Sequence, residues 1–245
     1  MKRSFTLMEM IIVIILLGIT STIGVGLLKI VFDGYINSKS LFQIFYEAKF
    51  GAERIGRELR EAIPNSIVIE SDNSTLSFAK FSSGGYYYRA YPSSNKIGLD
   101  SSATLNVGDY ISIHNTMPNG VYNDKSCDPS DNTSTMYRID NTTDNITLCK
   151  DPVADSPMSK FYKFEEVVTF RLNGNKIERC SSIDFKSHPL SSNCLTLFNY
   201  VKSARFVYTP DIYGINDQVV DIYLEMSKYG SDLVYKHKVH IRNTP

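Results

Sequence analysis

The sequence predicts an α+β fold in which one long N-terminal α-helix packs on a mainly antiparallel, β-rich head. The N-terminal segment is apolar and almost uncharged, an apolar stripe at helical period follows it, and from Ser66 onward the apolar residues alternate at period two. Of the 245 residues 42% are hydrophobic, which can fill a core and excludes wholesale disorder. The 26 basic and 26 acidic residues balance, which argues against a protein that mainly coats nucleic acid.

The first predicted element is a run without formal charges at residues 10–28, rich in Ile, Leu and Val. At 1.5 Å per residue the run is about 28 Å long, close to the ~30 Å hydrocarbon core of a bilayer. Lys2 and Arg3 precede it, so the positive-inside rule places the N-terminus in the cytoplasm and the remainder outside it. A cleavable secretory signal is the alternative, but its apolar stretch is usually only ~7–15 residues long. We therefore expect a single membrane-spanning helix.

Glu9 stands at the start of this run, where a carboxylate is costly unless it is paired or lies at the interface. The plain explanation is that the Glu9 side chain extends back to the membrane–water interface. The surrounding stretch, KRSFTLME at residues 2–9, resembles the class III signal of type IV prepilins and type II secretion pseudopilins. That signal consists of a short basic leader, a small residue, and Phe-Thr-Leu-x-Glu leading directly into the membrane helix.

The resemblance implies a processing site and an assembly residue. A prepilin peptidase would cut between Ser4 and Phe5, and the new amino group of Phe5 would be N-methylated. Glu9 would then meet the positive N-terminus of a neighbouring subunit, which lowers the cost of a carboxylate at the membrane boundary. The family usually has Gly before the cut, where this chain has Ser4.

Past Gly34 the helical pattern becomes amphipathic and predicts a helix that ends near Ile63, before Pro64. Its apolar stripe consists of Leu41, Phe45, Ala48, Ala52, Ile55, Leu59 and Ala62. Only three heptads are present for a free coiled coil, so we expect the stripe to pack on the head. The predicted organisation is a leader at 1–4, a transmembrane and assembly helix at 5–33, an amphipathic helix at 34–64 and a periplasmic β-rich head at 65–245.

Period-two alternation and intervening turn residues predict ten strands in the head. They are Ser66–Glu70, Thr75–Phe81, Tyr86–Tyr91, Tyr110–His114, Asn145–Cys149, Phe161–Leu172, Lys176–Cys180, Ala204–Tyr208, Gln218–Ser227 and Leu233–Arg242. No parallel βαβ rhythm is visible, and no second hydrophobic helix is expected.

A two-residue turn at Gly230-Ser231 predicts the register of the last hairpin, with Leu224 opposite His237. The outward face then carries a basic strip at period two, which could suggest an anion or DNA surface. The strip consists of Lys236, Lys238, His240 and Arg242. Asp221 and Glu225 would lie across the strand from it, so a solvated, salt-bridged face is the preferred interpretation.

The four cysteines of an exported head predict disulfides. Three pairings are possible, and we expect the sequence-near ones, Cys127–Cys149 and Cys180–Cys194, each worth about 3 kcal/mol in the chain-entropy model. A zinc site of four thiolates is the rival, but no C-x-x-C spacing occurs. The acidic stretch 123–155 matches no calcium-loop signature, so a solvated, disulfide-tethered loop is expected there.

No catalytic motif is present among the sequence signatures of nucleotide-binding, hydrolase or metalloprotease sites. His237 and His240 are three apart, which on a strand places them on opposite faces and prevents shared chelation. We therefore predict that the protein is not an enzyme and holds no metal or cofactor, and the balanced charge argues against a nucleic-acid partner.

Three further stretches resemble the minor pilins of the MSHA pilus: residues 57–66, residues 107–110 leading to His114-Asn115, and the terminus at 239–245. The resemblance implies a low-abundance subunit that primes or caps a type IV pilus at the inner membrane. Its implied partners are the prepilin peptidase, other minor pilins, the major pilin and the inner-membrane assembly platform. Two alternatives stay open: a type II secretion pseudopilin of the PulJ/GspJ kind, and a membrane-anchored adhesion or DNA-binding module.

Overall fold

The computed structural model describes residues 6–241 apart from 90–94, 101–102, 144 and 211–217. A long helix, α1 (Leu7–Leu59), leads into a β-rich head that also contains a short helix, α2 (Pro118–Tyr122). The strands are β1 (Val68–Ile69), β2 (Thr75–Arg89), β3 (Lys96–Asp100), β4 (Tyr110–Ile113), β5 (Met136–Asn141), β6 (Ile146–Leu148), β7 (Lys160–Asn173), β8 (Lys176–Ser182), β9 (Cys194–Asn199), β10 (Val201–Thr209), β11 (Gln218–Lys228) and β12 (Ser231–Ile241). The predicted α+β fold, a long helix on a mainly antiparallel head, is confirmed.

Helix α1 is continuous over 53 residues and has Arg60 as its C-cap. The predicted end near Ile63 was about one turn too late. Ala62 forms an antiparallel bridge with Lys80, and the amide of Ile63 donates to the carbonyl of Ala79 at 2.8 Å. These residues therefore pair with β2, and this pairing replaces the last helical turn.

The head covers one side of the C-terminal part of α1, beginning at Ser40. The buried helix residues are Ser40, Ile44, Ala48, Gly51, Ala52, Ile55, Gly56 and Leu59. The predicted stripe is confirmed from Ala48 onward, but Leu41 and Phe45 are 44% and 39% exposed. Ile44 takes the buried position, because at 3.6 residues per turn it lies in line with Ala48.

Nine strands form one sheet in the order β1-β2-β3-β6-β5-β4-β7-β8-β9, and β2 also pairs with β7. The additional pairing closes a ring of six antiparallel strands, β2-β3-β6-β5-β4-β7, which the sequence pattern did not predict. The ring surrounds a separate apolar core. Its buried members are Tyr87, Ile97, Leu105, Ile111, Ile113, Tyr137, Ile139, Ile146, Leu148 and Phe161.

Strands β10, β11 and β12 form a second antiparallel sheet. Its inner face and the α1 stripe share one core with residues of β2, β7, β8 and β9. At the edge of this core Arg179 of β8 donates to the Glu58 carboxylate of α1 at 2.7 Å and also pairs with Glu166 of β7. The C-terminal part of α1 is therefore fixed to both sheets.

Several sequence predictions about the head were wrong in detail. Strands β3, β5 and β9 were missed, and the two strands predicted before and after Gly84-Gly85 are one strand, β2. The glycines do not end β2, because Gly84 and Gly85 pair with Tyr162 and Phe161 of β7. The short helix α2 was not predicted: Pro118 occupies its first turn, and Val121 and Tyr122 are buried.

The last hairpin has a different register from the predicted one. Its turn is Tyr229-Gly230, both with positive φ (49° and 80°), so Lys228 pairs with Ser231 and Leu224 lies opposite Tyr235. A turn displaced by one residue shifts every pair by two. Because side chains alternate at period two, the same residues still face inward. Arg242, the last residue of the predicted basic strip, lies outside the described residues.

Candidate functional site: the exposed N-terminal helix

The N-terminal part of α1 extends away from the head. No residue from Leu7 to Lys39 is buried, and the large apolar side chains of this stretch are mostly about half exposed or more. Within the described chain α1 is the one helix that is long and apolar enough to cross a membrane, and none of its most apolar window is buried in the fold. A single N-terminal helix thus offers an anchor for a bilayer.

Glu9 lies in the first turn of α1 and closes a capping box with Thr6. The amide of Glu9 donates to the Thr6 hydroxyl at 3.4 Å, and the Glu9 carboxylate accepts from the Thr6 amide at 3.0 Å. The negative side chain also faces the positive end of the helix dipole. The signal stretch at residues 2–9 predicts a role for Glu9 but none for Thr6, although the Thr-x-x-Glu spacing is typical of a capping box.

The two residues of the predicted processing site, Ser4 and Phe5, lie outside the described residues. The structure therefore bears on Glu9 and Thr6, and cleavage and N-methylation stay predictions.

Three hydroxyl side chains interrupt the apolar segment, and all three are satisfied within the helix. Thr20 donates to the Leu16 carbonyl at 2.9 Å, and Ser21 donates to the Leu17 carbonyl at 2.6 Å. The hydroxyl of Thr22 donates to the Ile19 carbonyl at 2.8 Å. Since these groups need no water, they add little to the cost of placing the segment in lipid.

The β11–β12 turn marks the point at which the head first holds α1. Lys228 donates its ammonium to the Gln43 side chain at 2.6 Å and to the Tyr200 hydroxyl at 2.9 Å. The hydroxyl of Ser231 donates to the carbonyl of Asn37 at 3.3 Å. From Leu7 to that carbonyl the helix is about 45 Å long, which exceeds a ~30 Å hydrocarbon core. Exposed apolar side chains such as Phe32 and Tyr35 continue beyond the uncharged run.

Both sequence-near disulfides are present in the head. Cys127–Cys149 joins the loop after α2 to the residue that follows β6, with a Cα–Cα distance of 5.4 Å. Cys180–Cys194 joins directly paired residues of β8 and β9, with a Cα–Cα distance of 4.0 Å. These bonds are consistent with an oxidising compartment.

The acidic loop contains its own buried cation. The Lys150 ammonium, whose side chain is almost fully buried, donates to the Asp131 carbonyl at 2.7 Å and lies 3.6 Å from the Asp131 carboxylate. Partial desolvation opposes ionisation of that carboxyl. Hydrogen bonds from Thr133 and Ser134, with the Lys150 charge, outweigh it and lower the pKa of Asp131 to about 2. The loop is therefore held by the buried Lys150 as well as by the expected disulfide.

The outward basic strip of β12 is partly neutralised, as its interpretation as a salt-bridged face requires. Lys236 donates to the Tyr223 hydroxyl at 2.8 Å and lies 3.5 Å from the Asp221 carboxylate. The pairing differs from the predicted one, because Glu225 lies opposite Val234. The Arg205 guanidinium also lies over the Tyr223 ring, 4.5 Å from its centre.

Comparisons with known proteins add no relative: no family model, no curated protein and no solved structure matches the chain. In the part of the chain that the structure describes, no group of three His, Cys, Asp or Glu side chains is placed to hold a metal ion.

Proposed function

We propose that the chain is a minor pilin, a subunit that takes part in assembling, priming or capping a type IV pilus of the MSHA kind, similar to MshO. One observation carries the proposal. A single helix is divided into an exposed, apolar N-terminal part with Glu9 in its first turn and a C-terminal part packed into a disulfide-bonded, β-rich head.

In this proposal the protein crosses the inner membrane once. Lys2 and Arg3 stay in the cytoplasm, and the head lies in the periplasm, where the disulfides form. The prepilin peptidase removes residues 1–4, and Phe5 becomes the methylated N-terminus. The partners are the other minor pilins, the major pilin and the inner-membrane assembly platform.

The exposed apolar surface of α1 supports assembly into a filament. The bilayer accounts for about 30 Å of the apolar helix surface, so aromatic residues such as Tyr35 and Phe42 need another cover. Neighbouring subunits would supply it in a filament. Glu9, held in its own capping box in the single subunit, would then accept the amino group of the next subunit, and an opposite charge lowers the cost of a carboxylate in lipid.

The signal stretch at residues 2–9 fits a type II secretion pseudopilin equally well. The stretches at 57–66, 107–110 and 239–245 favour the pilus, because they resemble its minor pilins along the length of the chain. Co-isolation with pilus subunits, as opposed to secretion subunits, separates the two.

Mass spectrometry of the mature N-terminus and a count of filament incorporation test the proposal. We expect a chain that begins at Phe5 and carries one methyl group. We expect Glu9→Leu to lower incorporation into filaments about tenfold, since 1.4 kcal/mol of lost pairing gives that factor. Asp151→Ala, which removes an exposed carboxylate of the head away from α1, is the control and should incorporate normally.

An unmethylated chain that still begins at Met1, together with normal incorporation of Glu9→Leu, would contradict the proposal and leave a simple membrane anchor. Equal amounts of the two variants in the membrane fraction exclude a failure of insertion as the cause.

A further inference from the structure

Strand β9 forms an open edge of the nine-stranded sheet. It lies at the end of the strand order, and among the described residues β8 is the one strand that pairs with it. An open edge presents unpaired main-chain donors and acceptors, and proteins usually protect such edges with charged side chains, with short strands or with a cover.

The other sheet edges of the described chain show these protections. Strand β1, at the opposite end of the large sheet, is two residues long. Strand β12 has a charged outward face that includes Asp232, Lys236 and Lys238. Strand β10 is partly capped, because the Phe206 amide donates to the Asn73 carbonyl at 2.8 Å.

Strand β9 lacks these protections. The chain carries no charged residue from Pro189 to Val201, a stretch that includes the whole strand. Leu195, in the middle of this stretch, is 73% exposed, and Ile183, just after β8, is also exposed. This edge is uncharged, apolar and unpaired, which is typical of a surface that binds another protein.

The edge is held in place at both ends. The Cys180–Cys194 disulfide ties its first residue to β8, and the ring of Phe198 packs against Gly51 of α1 at the other end. A strand already fixed in extended conformation loses little further conformational entropy when it pairs with another.

An apolar groove of about 440 Å³ lies between β9 and α1. Tyr46 and Phe50 form one wall, with their rings stacked 6.1 Å apart and both side chains exposed. Leu197 and Phe198 of β9 line the other wall, and Glu47 and Arg54 are also part of the lining. The groove continues the exposed apolar face of α1 toward the head.

We propose that β9 accepts a β-strand from another protein subunit, one that is uncharged and apolar at alternate positions. The main chain of this strand pairs with the open edge of β9, and its apolar side chains enter the groove beside Tyr46 and Phe50. Because the groove continues the apolar face of the membrane helix, the subunit that supplies the strand is itself anchored in the same membrane. The proposal does not depend on the pilus assignment.

Photo-crosslinking in cells tests it with a matched pair of positions in the full-length chain. A photoreactive residue replaces Leu195 on β9 or Val234 on β12, which are 73% and 72% exposed. We expect at least about tenfold more protein adduct from position 195. We also expect the crosslinked peptides to map to one extended segment of one other membrane-anchored protein.

Equal yields at the two positions, adducts mainly to lipid, or adducts scattered over many proteins would overturn the proposal. Adducts to β9 of a second copy would overturn the assignment to a different subunit.

A charge on the edge provides a second measurement. With the photoreactive residue at Phe50 in the groove, Leu195→Lys should lower the adduct yield about tenfold, and Val234→Lys should leave it unchanged. Both positions are exposed, so neither lysine disturbs the core. An unchanged yield with Leu195→Lys refutes strand addition, and the mass of the mature N-terminus, measured on the same samples, shows separately whether the pilin assignment holds.

Discussion

Gly51 of α1 lies directly beneath the ring of Phe198 of β9. A Cβ atom added to Gly51 would overlap the Phe198 ring, closer than real Cβ contacts allow. The large sheet packs directly on the helix at this point, and both residues are buried.

We predict that Gly51→Ala lowers the free energy of unfolding by about 2 kcal/mol, because the Phe198 ring must move out of a packed core. Without the Phe198 contact, alanine would stabilise the helix by up to about 1 kcal/mol relative to glycine. A loss of stability in Gly51→Ala would therefore identify the contact with Phe198 as the cause. Urea unfolding of the full chain in detergent micelles measures it.

Gly34→Ala is the matched control, since no atom lies within 4 Å of a Cβ at Gly34. This variant should be as stable as the parent chain or slightly more so. Equal destabilisation of both variants would show that the helix interior, and not Phe198, is responsible.

The Lys150 ammonium organises the acidic loop between α2 and β7, and its removal is the second prediction. Lys150→Met leaves the carbonyls of Asp128 and Asp131 and the Asp131 carboxylate without their cation. We expect a loss of about 3 kcal/mol in unfolding free energy and faster proteolysis within residues 123–143.

Lys125→Met, an exposed lysine of the same loop, should leave both quantities unchanged. Should the two variants behave alike, the buried ammonium would have no organising role.

The third prediction concerns pH. Burial against α1 lowers the pKa of His237 below 6.5; nearby Glu53 partly opposes this and Arg60 adds to it. Burial likewise lowers the pKa of His188, against the opposing charge of Glu70. The folded protein therefore binds fewer protons than the unfolded chain at mildly acidic pH. Its stability should be full above about pH 6.5 and should fall as the pH drops below that value.

Unfolding free energies measured between about pH 7.5 and about pH 5 test this, with His237→Gln expected to flatten the slope. His240→Gln, on the outward face of the same strand, should keep it. The carboxyls of Asp131 and Glu178 titrate well below this range: the pKa of each is about 2, and for Glu178 hydrogen bonds from Lys176 and Asn173 are the main cause. If His237→Gln leaves the pH dependence of the unfolding free energy unchanged, His237 does not cause it.

The amino-acid sequence by itself determined the helix, its apolar N-terminal half and the period-two head, and it favoured the two disulfides without fixing their pairing. Each of these features is local, or is set by a few residues of one kind. Nineteen uncharged residues can be counted, and the four cysteines allow only three pairings. Glu9 stood out for the same reason, as a single charge at the edge of an apolar run.

Only the tertiary structure decided which strands became neighbours. The six-stranded ring depends on β2 and β4 both pairing with β7, and alternation within a strand does not specify its partner. The burial of Lys150 depends on carbonyls about twenty residues earlier in the chain. The open edge of β9 likewise exists because no described strand pairs beyond it. Periodicity is a property of each segment, whereas pairing and burial are properties of segments that meet only after the chain has folded.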